Sequence, residues 1–331
     1  MAFDRLIYEK AENEIKQRRF NSENLLQRRT EEINLKIPEI KEVLNSISQT
    51  SIEISKLIIR KETDFKSSFN KIKVQNLQGQ AMIKKLLTEN GYPENYLEPV
   101  YTCSYCKDKG YIYGDRCSCF NKLLTHFAVE KLNSDANMPE CDFEHFSLNY
   151  YKGISSQNGI DCHKKMSDNL SFCKHYASNF SLKSDSLFIL GQTGIGKTHI
   201  SLSIAKEVSS KGYTVAYGSL LNYLRIIEKE HFGRTSNPEM DTLQILIETD
   251  LLILDDLGSE FQTPFYESTL YNIINSRINL GRPTIISSNL SVEDLQKNYN
   301  ERIISRLFSV FTTLMFFGKD IRQLKRLGGE F

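Results

Sequence analysis

Nowhere in the 331 residues do about 18 apolar residues run together, which excludes a membrane-spanning helix and with it a membrane partner. Charge of neither sign is in excess. Lys and Arg number 42 against 41 Asp and Glu, so bulk electrostatics indicate neither nucleic acid nor a lipid surface, and any basic patch must be local. The opening stretch Met1–Lys10 has no apolar signal-peptide core. Seven cysteines cannot all pair, and without an export signal they read as reduced thiols or metal ligands, not disulfides. A cytoplasmic protein is expected. The length leaves room for two domains and a small third module.

What is present is organised around residues 186–198. Ser186 to Leu190 reads as an apolar strand, Gly191 to Thr198 spells G-x-x-x-x-G-K-T, and His199 to Ala205 reads as a helix. Gly191, Gly194 and Gly196 let the backbone turn so that successive N–H groups converge on phosphate oxygens. The helix begins with its positive end at the same place. ATP contact is therefore expected from Gly191, Gln192, Thr193, Gly194, Ile195, Gly196, Lys197 and Thr198. Lys197 is placed to reach the β- and γ-phosphates, and Thr198 to ligate Mg²⁺. This is a P-loop.

Ahead of it, residues 1–95 are rich in helix formers. Leu26, Ile33, Ile40, Ile47 and Ile54 fall at seven-residue intervals, with Ile37, Leu44 and Ile58 at the companion position, a coiled-coil-like seam. Pro38 interrupts it, so two or three amphipathic helices folded as a hairpin are expected instead of one rod. Phe65, Phe69 and Ile72 continue an apolar face. The stripe suits either a small helical core or a partner-binding module.

Cys103, Cys106, Cys117 and Cys119 follow in the pattern C-x2-C-x10-C-x-C. Two close pairs on tight turns offer four thiolates to Zn²⁺ in a closed, structural site. Gly110 and Gly114, with aromatics between, mark a β-hairpin joining the pairs. Cys141, Cys162 and Cys173 have no partner at ligand spacing and read as small buried hydrophobes. Residues 121–180 look helical and connecting, and Phe143 and Phe146 there suit either an adenine pocket or plain core.

Beyond the P-loop, strand and helix signals alternate, which implies a parallel sheet with crossover helices. Tyr213–Gly218 reads as a strand, Leu220–Ile227 as a helix, and His231–Pro238 as a polar loop. Leu251–Leu254 is an apolar strand ending in Asp255 and Asp256, at the edge where α/β folds place ligand chemistry. Asp255 fits a Mg²⁺-associated acid, and Asp256 a carboxylate that orients or deprotonates the attacking water. The strand Pro283–Ser288 runs into Asn289, which either holds that water or senses the γ-phosphate, or simply starts a turn. Arg302 and Arg306 lie four apart on one helix face, either as solvated surface residues or as a finger reaching a neighbour's γ-phosphate. A last strand, Thr312–Phe317, precedes the basic tail Lys319–Arg326.

Together, Gly191–Thr198, Asp255-Asp256-Leu257-Gly258, Ser287-Ser288-Asn289 and Glu301–Arg306 resemble the bacterial replicative helicase loaders of the DnaC/DnaI type, AAA+ ATPases of the initiator clade related to IstB-type transposon helpers. Gly91–Ile112, with its first cysteine pair, is similar to the knuckle ahead of the ATPase in many such loaders. The resemblance implies sensor 1 at Asn289, an arginine finger at Arg306 and a sensor-2 arginine at Arg322, although the chain carries few residues after Arg322 and no helical lid is expected. The implied architecture is an α/β P-loop AAA+ domain (181–331), with a helical linker and the start of that domain (123–180). A helical partner-binding domain (1–95) and a zinc knuckle (96–122) precede them. The implied function is ATP-dependent loading of the hexameric replicative helicase onto single-stranded DNA during initiation or restart. The N-terminal helices and knuckle would grip the helicase, further copies of the chain would sit around its ring, and hydrolysis would be weak in isolation. Tyr217, Lys211 and Tyr223 are the candidates for touching the strand. The alternatives are a transposition helper ATPase and a P-loop small-molecule kinase.

Overall fold

The computed structural model describes residues 3–60, 65–135, 141–156, 159–233 and 241–326, with side chains at all of these but 51–68 and 134–135. Among them, no helix is long and apolar enough to cross a membrane. The chain divides into two compact units, one of residues 12–120 and one of residues 1–11 with 121–331.

In the first unit, helices α1 (Arg5–Lys36), α2 (Pro38–Arg60) and α3 (Phe65–Glu89) replace the single rod that the heptads alone would favour. Pro38 is the first residue of α2, where a missing N–H costs nothing. Ile33, Ile37 and Ile40 are buried with Ile83 and Leu87 of α3, so the seam is core over this stretch, with Leu44 and Ile47 half-buried against it. Gly79 of α3 lets Ile47 approach to 3.0 Å of where a Cβ would stand. The side chains of Ile54, Ile58 and Phe65 lie outside those described. Two short antiparallel strands, β1 (Tyr111–Ile112) and β2 (Asp115–Arg116), form the expected hairpin. Helix α4 (Ser118–Asp135) leads out of the unit.

The second unit is built on five parallel strands: β3 (Leu187–Leu190), β4 (Val215–Ser219), β5 (Leu251–Leu257), β6 (Thr284–Ser288) and β7 (Thr312–Met315). Their spatial order is β4-β5-β6-β3-β7. Helices α5 (Cys162–Ser178), α6 (Lys197–Ser210), α7 (Leu220–Phe232), α8 (Thr242–Glu248), α9 (Pro264–Asn279), α10 (Val292–Asn298), α11 (Glu301–Val310) and α12 (Ile321–Arg326) flank it. A parallel sheet covered on both faces needs near-continuous apolar strands. All of β3 and the first four residues of β5 are accordingly buried. Ser219, Asp241, Thr263, Ser291 and Asn300 cap α7 to α11 by accepting a backbone N–H.

Several boundaries differ from the sequence reading. β4 begins at Val215 instead of Tyr213, and the last strand stops at Met315 instead of Phe317. Helix α7 runs on to Phe232 and so absorbs His231 from the expected loop, of which 234–238 lie outside the described residues. Arg277 of α9 is fully buried. Its guanidinium donates to the carbonyls of Leu246 (2.7 Å), Ile247 (3.0 Å) and Thr249 (2.9 Å) at the end of α8, to Pro283 O, and to Thr284 Oγ1 on β6.

Candidate functional site

The P-loop leaves the end of β3 and enters α6 through left-handed backbone at Gly194 (φ 78°) and Gly196 (φ 91°). A Cβ on Gly194 would stand 2.0 Å from Asp320 Oδ1, and one on Gly196 2.8 Å from the Phe146 ring. Gly196 therefore demands glycine on steric as well as conformational grounds, whereas at Gly194, where the Asp320 carboxylate can swing away, the demand is conformational. The loop is braced from outside: the Tyr151 hydroxyl donates to Ile195 O (3.0 Å) and the Ile321 N–H to Gly194 O (2.9 Å). Phe146 stacks on Tyr151 and meets the His199 ring edge-on, so it is part of this brace and also lines the cleft below. Phe143 packs against the core.

Lys197 is buried and donates from Nζ to Gly191 O (2.7 Å) and Gln192 O (2.8 Å), which leaves one of its three donors free of these carbonyls. Burial lowers its pKa, an effect that the Asp255 and Asp256 charges oppose and the Arg322 charge adds to. Thr198 Oγ1 donates to Asp255 Oδ2 at 2.8 Å. The hydroxyl proton is thus committed to the carboxylate while the oxygen lone pairs face away from it, the polarity a Mg²⁺ ligand needs. Asp255 also accepts from the Tyr217 hydroxyl (3.0 Å) and, at its other oxygen, from the Ser287 hydroxyl.

Asp256 is the single acid here with left-handed backbone (φ 64°), half-buried, its N–H donating to Ser287 Oγ at 3.0 Å. Such a conformation costs a non-glycine residue on the order of 1 kcal/mol and tends to cluster at working sites. Burial and then the Asp255 charge raise its pKa, against the pull of Lys197 and Arg322. Asn289 reaches across from β6 to Thr193 Oγ1 at 3.5 Å. Thr193, Lys197, Thr198, both acids, Asn289 and Arg322 all line one cleft of about 520 Å³.

Arg306 is not among them. Its guanidinium lies 4.7 Å from the Tyr271 ring centroid and donates to the Tyr271 hydroxyl (2.9 Å), to Asn275 Oδ1 (2.9 and 3.0 Å) and to Arg302 O (3.0 Å), on the face of α9. Arg302 is exposed.

Three readings need correction. Tyr217 and Tyr223 are buried and cannot offer a ring to a base. Tyr217 serves Asp255, and the Tyr223 hydroxyl has no partner among the described residues, its ring filling the space over Gly218. Lys211 caps the carbonyls of Ala177 (2.7 Å) and Ser178 (2.6 Å) at the end of α5 instead of facing solvent freely. Cys162 and Cys173 are buried as expected, but Cys141 is half-buried and lines the nucleotide-side cleft. Ser287, Asp320 and Tyr151 escaped sequence reasoning because their partners are brought together only by the sheet.

The four cysteine sulfurs lie within 4.8 Å of one another. Cys103 Sγ is 3.8 Å from Cys117 Sγ, and Cys106 Sγ 3.4 Å from Cys119 Sγ. Tetrahedral zinc with bonds of about 2.3 Å requires sulfurs about 3.8 Å apart, so the donor set fits that ion. The Gly110 N–H donates to Cys106 Sγ (3.4 Å), and the Cys106 backbone N–H pulls Cys103 down to a pKa of about 7, both of which favour thiolates, whereas burial and the neighbouring sulfurs push the Cys119 thiol up. Asp108, fully buried, accepts from the Thr102 and Cys103 N–H groups at 2.8 Å and fixes the first turn.

Residues 157–308 match the family model described as IstB-like ATP binding protein. This segment is similar to IstB-like ATP-binding domains. Among curated relatives, the chain is similar to the replicative helicase loader DnaC of Escherichia coli K12, 24% identical over 172 residues, which are 52% of this chain and 69% of that one. The replicative helicase loader DnaC of Buchnera aphidicola subsp. Baizongia pistaciae is 25% identical over 191 residues, covering 58% and 72%. Among solved structures, a crystal structure of DnaI aligns with TM-score 0.43 at 19% identity over 56% of this chain and 94% of that one. A crystal structure of the DnaC helicase loader aligns with TM-score 0.43 at 20% identity, over 53% and 98%.

Proposed function

We propose that the chain is an AAA+ ATPase that loads the replicative DNA helicase onto single-stranded DNA in the cytoplasm. The observation that carries this reading is the convergence of Lys197, Thr198, Asp255, Asp256, Asn289 and Arg322 on the P-loop cleft, in a domain whose curated relatives are named helicase loaders. Lys197 binds the β- and γ-phosphates, and Thr198 and Asp255 hold Mg²⁺. When bound, the ion supplies neutralisation of the phosphate oxygens. Asp256 orients the attacking water and takes its proton, Asn289 holds that water against the γ-phosphate, and Arg322 pairs the γ-phosphate charge. Arg306, engaged on α9 outside its own cleft, serves the nucleotide of an adjacent copy. Hydrolysis by one copy alone is then slow, because its finger comes from another.

Residues 1–95 form the helicase-binding module, 96–122 a structural zinc knuckle held by Cys103, Cys106, Cys117 and Cys119, 123–180 the linker into the ATPase domain, and 181–331 the AAA+ domain. Co-purification with the cognate hexameric helicase, with and without ATP, tests the assignment. Lys197→Ala and Arg306→Ala are expected to keep helicase binding and to lose loading by tenfold or more, as loss of a phosphate or finger contact does. Equal loading by wild type and both variants would refute these roles. The match to IstB-like proteins favours one second reading, a transposition helper. Capture of a transposase but no helicase would establish it.

A further inference from the structure

The cysteine knuckle exposes aromatic side chains that metal binding does not use. Tyr105, between the first two cysteines, is 82% exposed, and Tyr113, at the tip of the β1–β2 hairpin, is fully so. Tyr113 has φ 50° and its neighbour Gly114 φ 94°, the left-handed pair of a two-residue hairpin turn. Asn or Gly would occupy the first of these positions without strain, whereas a bulky ring there is an outlier. The ring gains no burial for that strain. Lys107 (φ 51°) and Asp108 (φ 52°) share this backbone conformation, and there Asp108 holds two backbone N–H groups, whereas the exposed Tyr113 ring is the strained side chain whose use is sought outside the chain.

The charges beside Tyr105 are positive, while the exposed acid Asp115 lies two residues from Tyr113. Lys107 and Lys109 are exposed in the same turn, and the acid between them, Asp108, is fully buried with both oxygens taken by backbone N–H groups. Asp115 is the one exposed acid between residues 101 and 122. Solvent-facing rings on a rigid frame, interleaved with lysines, form a stacking platform along an electrostatic track. A duplex hides the base faces that such rings would meet. Val100, Tyr101 and Tyr111 are also exposed in this segment, and Lys107 and Lys109 among these side chains suit a polyanionic strand better than an apolar protein groove.

We propose that Tyr105 and Tyr113, with Lys107 and Lys109, bind single-stranded DNA, bases stacking on the rings and phosphates facing the ammonium groups. The proposal rests on the loader reading for the strand being DNA, and it assigns this face of the knuckle to the strand instead of to the helicase.

The test is fluorescence anisotropy of a labelled 20-nucleotide oligo(dT) with the full-length, zinc-loaded protein. Tyr105→Ala combined with Tyr113→Asn is expected to weaken binding roughly thirtyfold or more, the loss of two stacked bases. Tyr113→Asn relieves the turn, so misfolding cannot cause that loss, and zinc content and nucleotide affinity should be unchanged. Phe at both positions keeps the stacking and should restore binding. Lys107→Ala with Lys109→Ala should reduce the slope of log affinity against log salt by about 1.4. Wild-type affinity in the Tyr105→Ala/Tyr113→Asn protein would overturn the proposal, as would tighter binding of oligo(U) RNA than of oligo(dT). Loss of helicase co-purification in that variant with oligo(dT) affinity intact would make the face a protein surface and also overturn it. The loader reading fails separately, if wild type captures no helicase.

Discussion

Asp255 and Asp256 are adjacent in sequence yet meet different surroundings. Three hydroxyls, from Thr198, Tyr217 and Ser287, converge on Asp255, whereas Asp256 sits half-buried on strained backbone with its pKa raised. A raised carboxyl pKa means that the folded state resists ionisation. That resistance costs nothing below the ordinary value of 3.8, and sets in as pH climbs through the raised value. Asp256→Asn removes it, so the variant should melt higher than wild type at pH 7, and the gain should shrink as pH falls toward 3.8 and be gone below it, while hydrolysis is lost at every pH. Melting scans at several pH values check this, and a gain independent of pH would show that strain relief, not ionisation, is responsible. The pair itself was legible because an apolar run ending in two acids downstream of a P-loop is local information. Tyr217 was misread for the opposite reason. A tyrosine in an apolar strand shows nothing of which neighbour its hydroxyl will meet, and here that neighbour arrives from β5, 38 residues on.

Among the elements, those defined by periodicity and punctuation were the readable ones. Pro38 splits α1 from α2, Ile33 to Ile40 fill the seam, and the Tyr113-Gly114 turn closes the hairpin. Element ends were less so. The extension of α7 to Phe232 and the late start of β4 depend on packing that no local signal records. The knuckle has a small core of its own, Cys103, Cys106 and Cys117 with Ile112 and Cys119 against them, too little to hold two turns together without a metal. Structural zinc contributes on the order of 10 kcal/mol in such modules. Cys103→Ser should therefore lose zinc, measurable by elemental assay, and open 101–119 to hydrogen exchange while the P-loop unit keeps its nucleotide affinity. A purified wild type without zinc would remove the basis of this expectation.

At the scale of the whole ATPase unit, the most buried cation among the described residues is structural. Among the described residues no carboxylate forms an ion pair with Arg277, which instead gathers carbonyls from the end of α8 and the start of β6; burial, against the pull of the Asp250 charge, holds its pKa down to about 9. Lysine cannot reproduce that planar fork. Arg277→Lys should cost roughly 2–4 kcal/mol in urea unfolding, since several buried carbonyls lose their donor. A loss under about 0.5 kcal/mol, the range of ordinary surface changes, would contradict it. Nothing in the sequence around Arg277 separates it from a surface arginine, because its acceptors lie on other elements.

The strand order has a further consequence. With β6 inserted between β3 and β5, the loop that follows β3 and the acids that end β5 are set two strand spacings apart, roughly 9.6 Å. That interval is a built-in gauge, wide enough for a phosphate chain with its cation and narrow enough for the side chains of Thr198 and Asp255 to touch across it. The spacing is in this sense set by backbone hydrogen bonding, and a slip of β6 would carry Ser287 and Asn289 away from Asp255 and Thr193 as well.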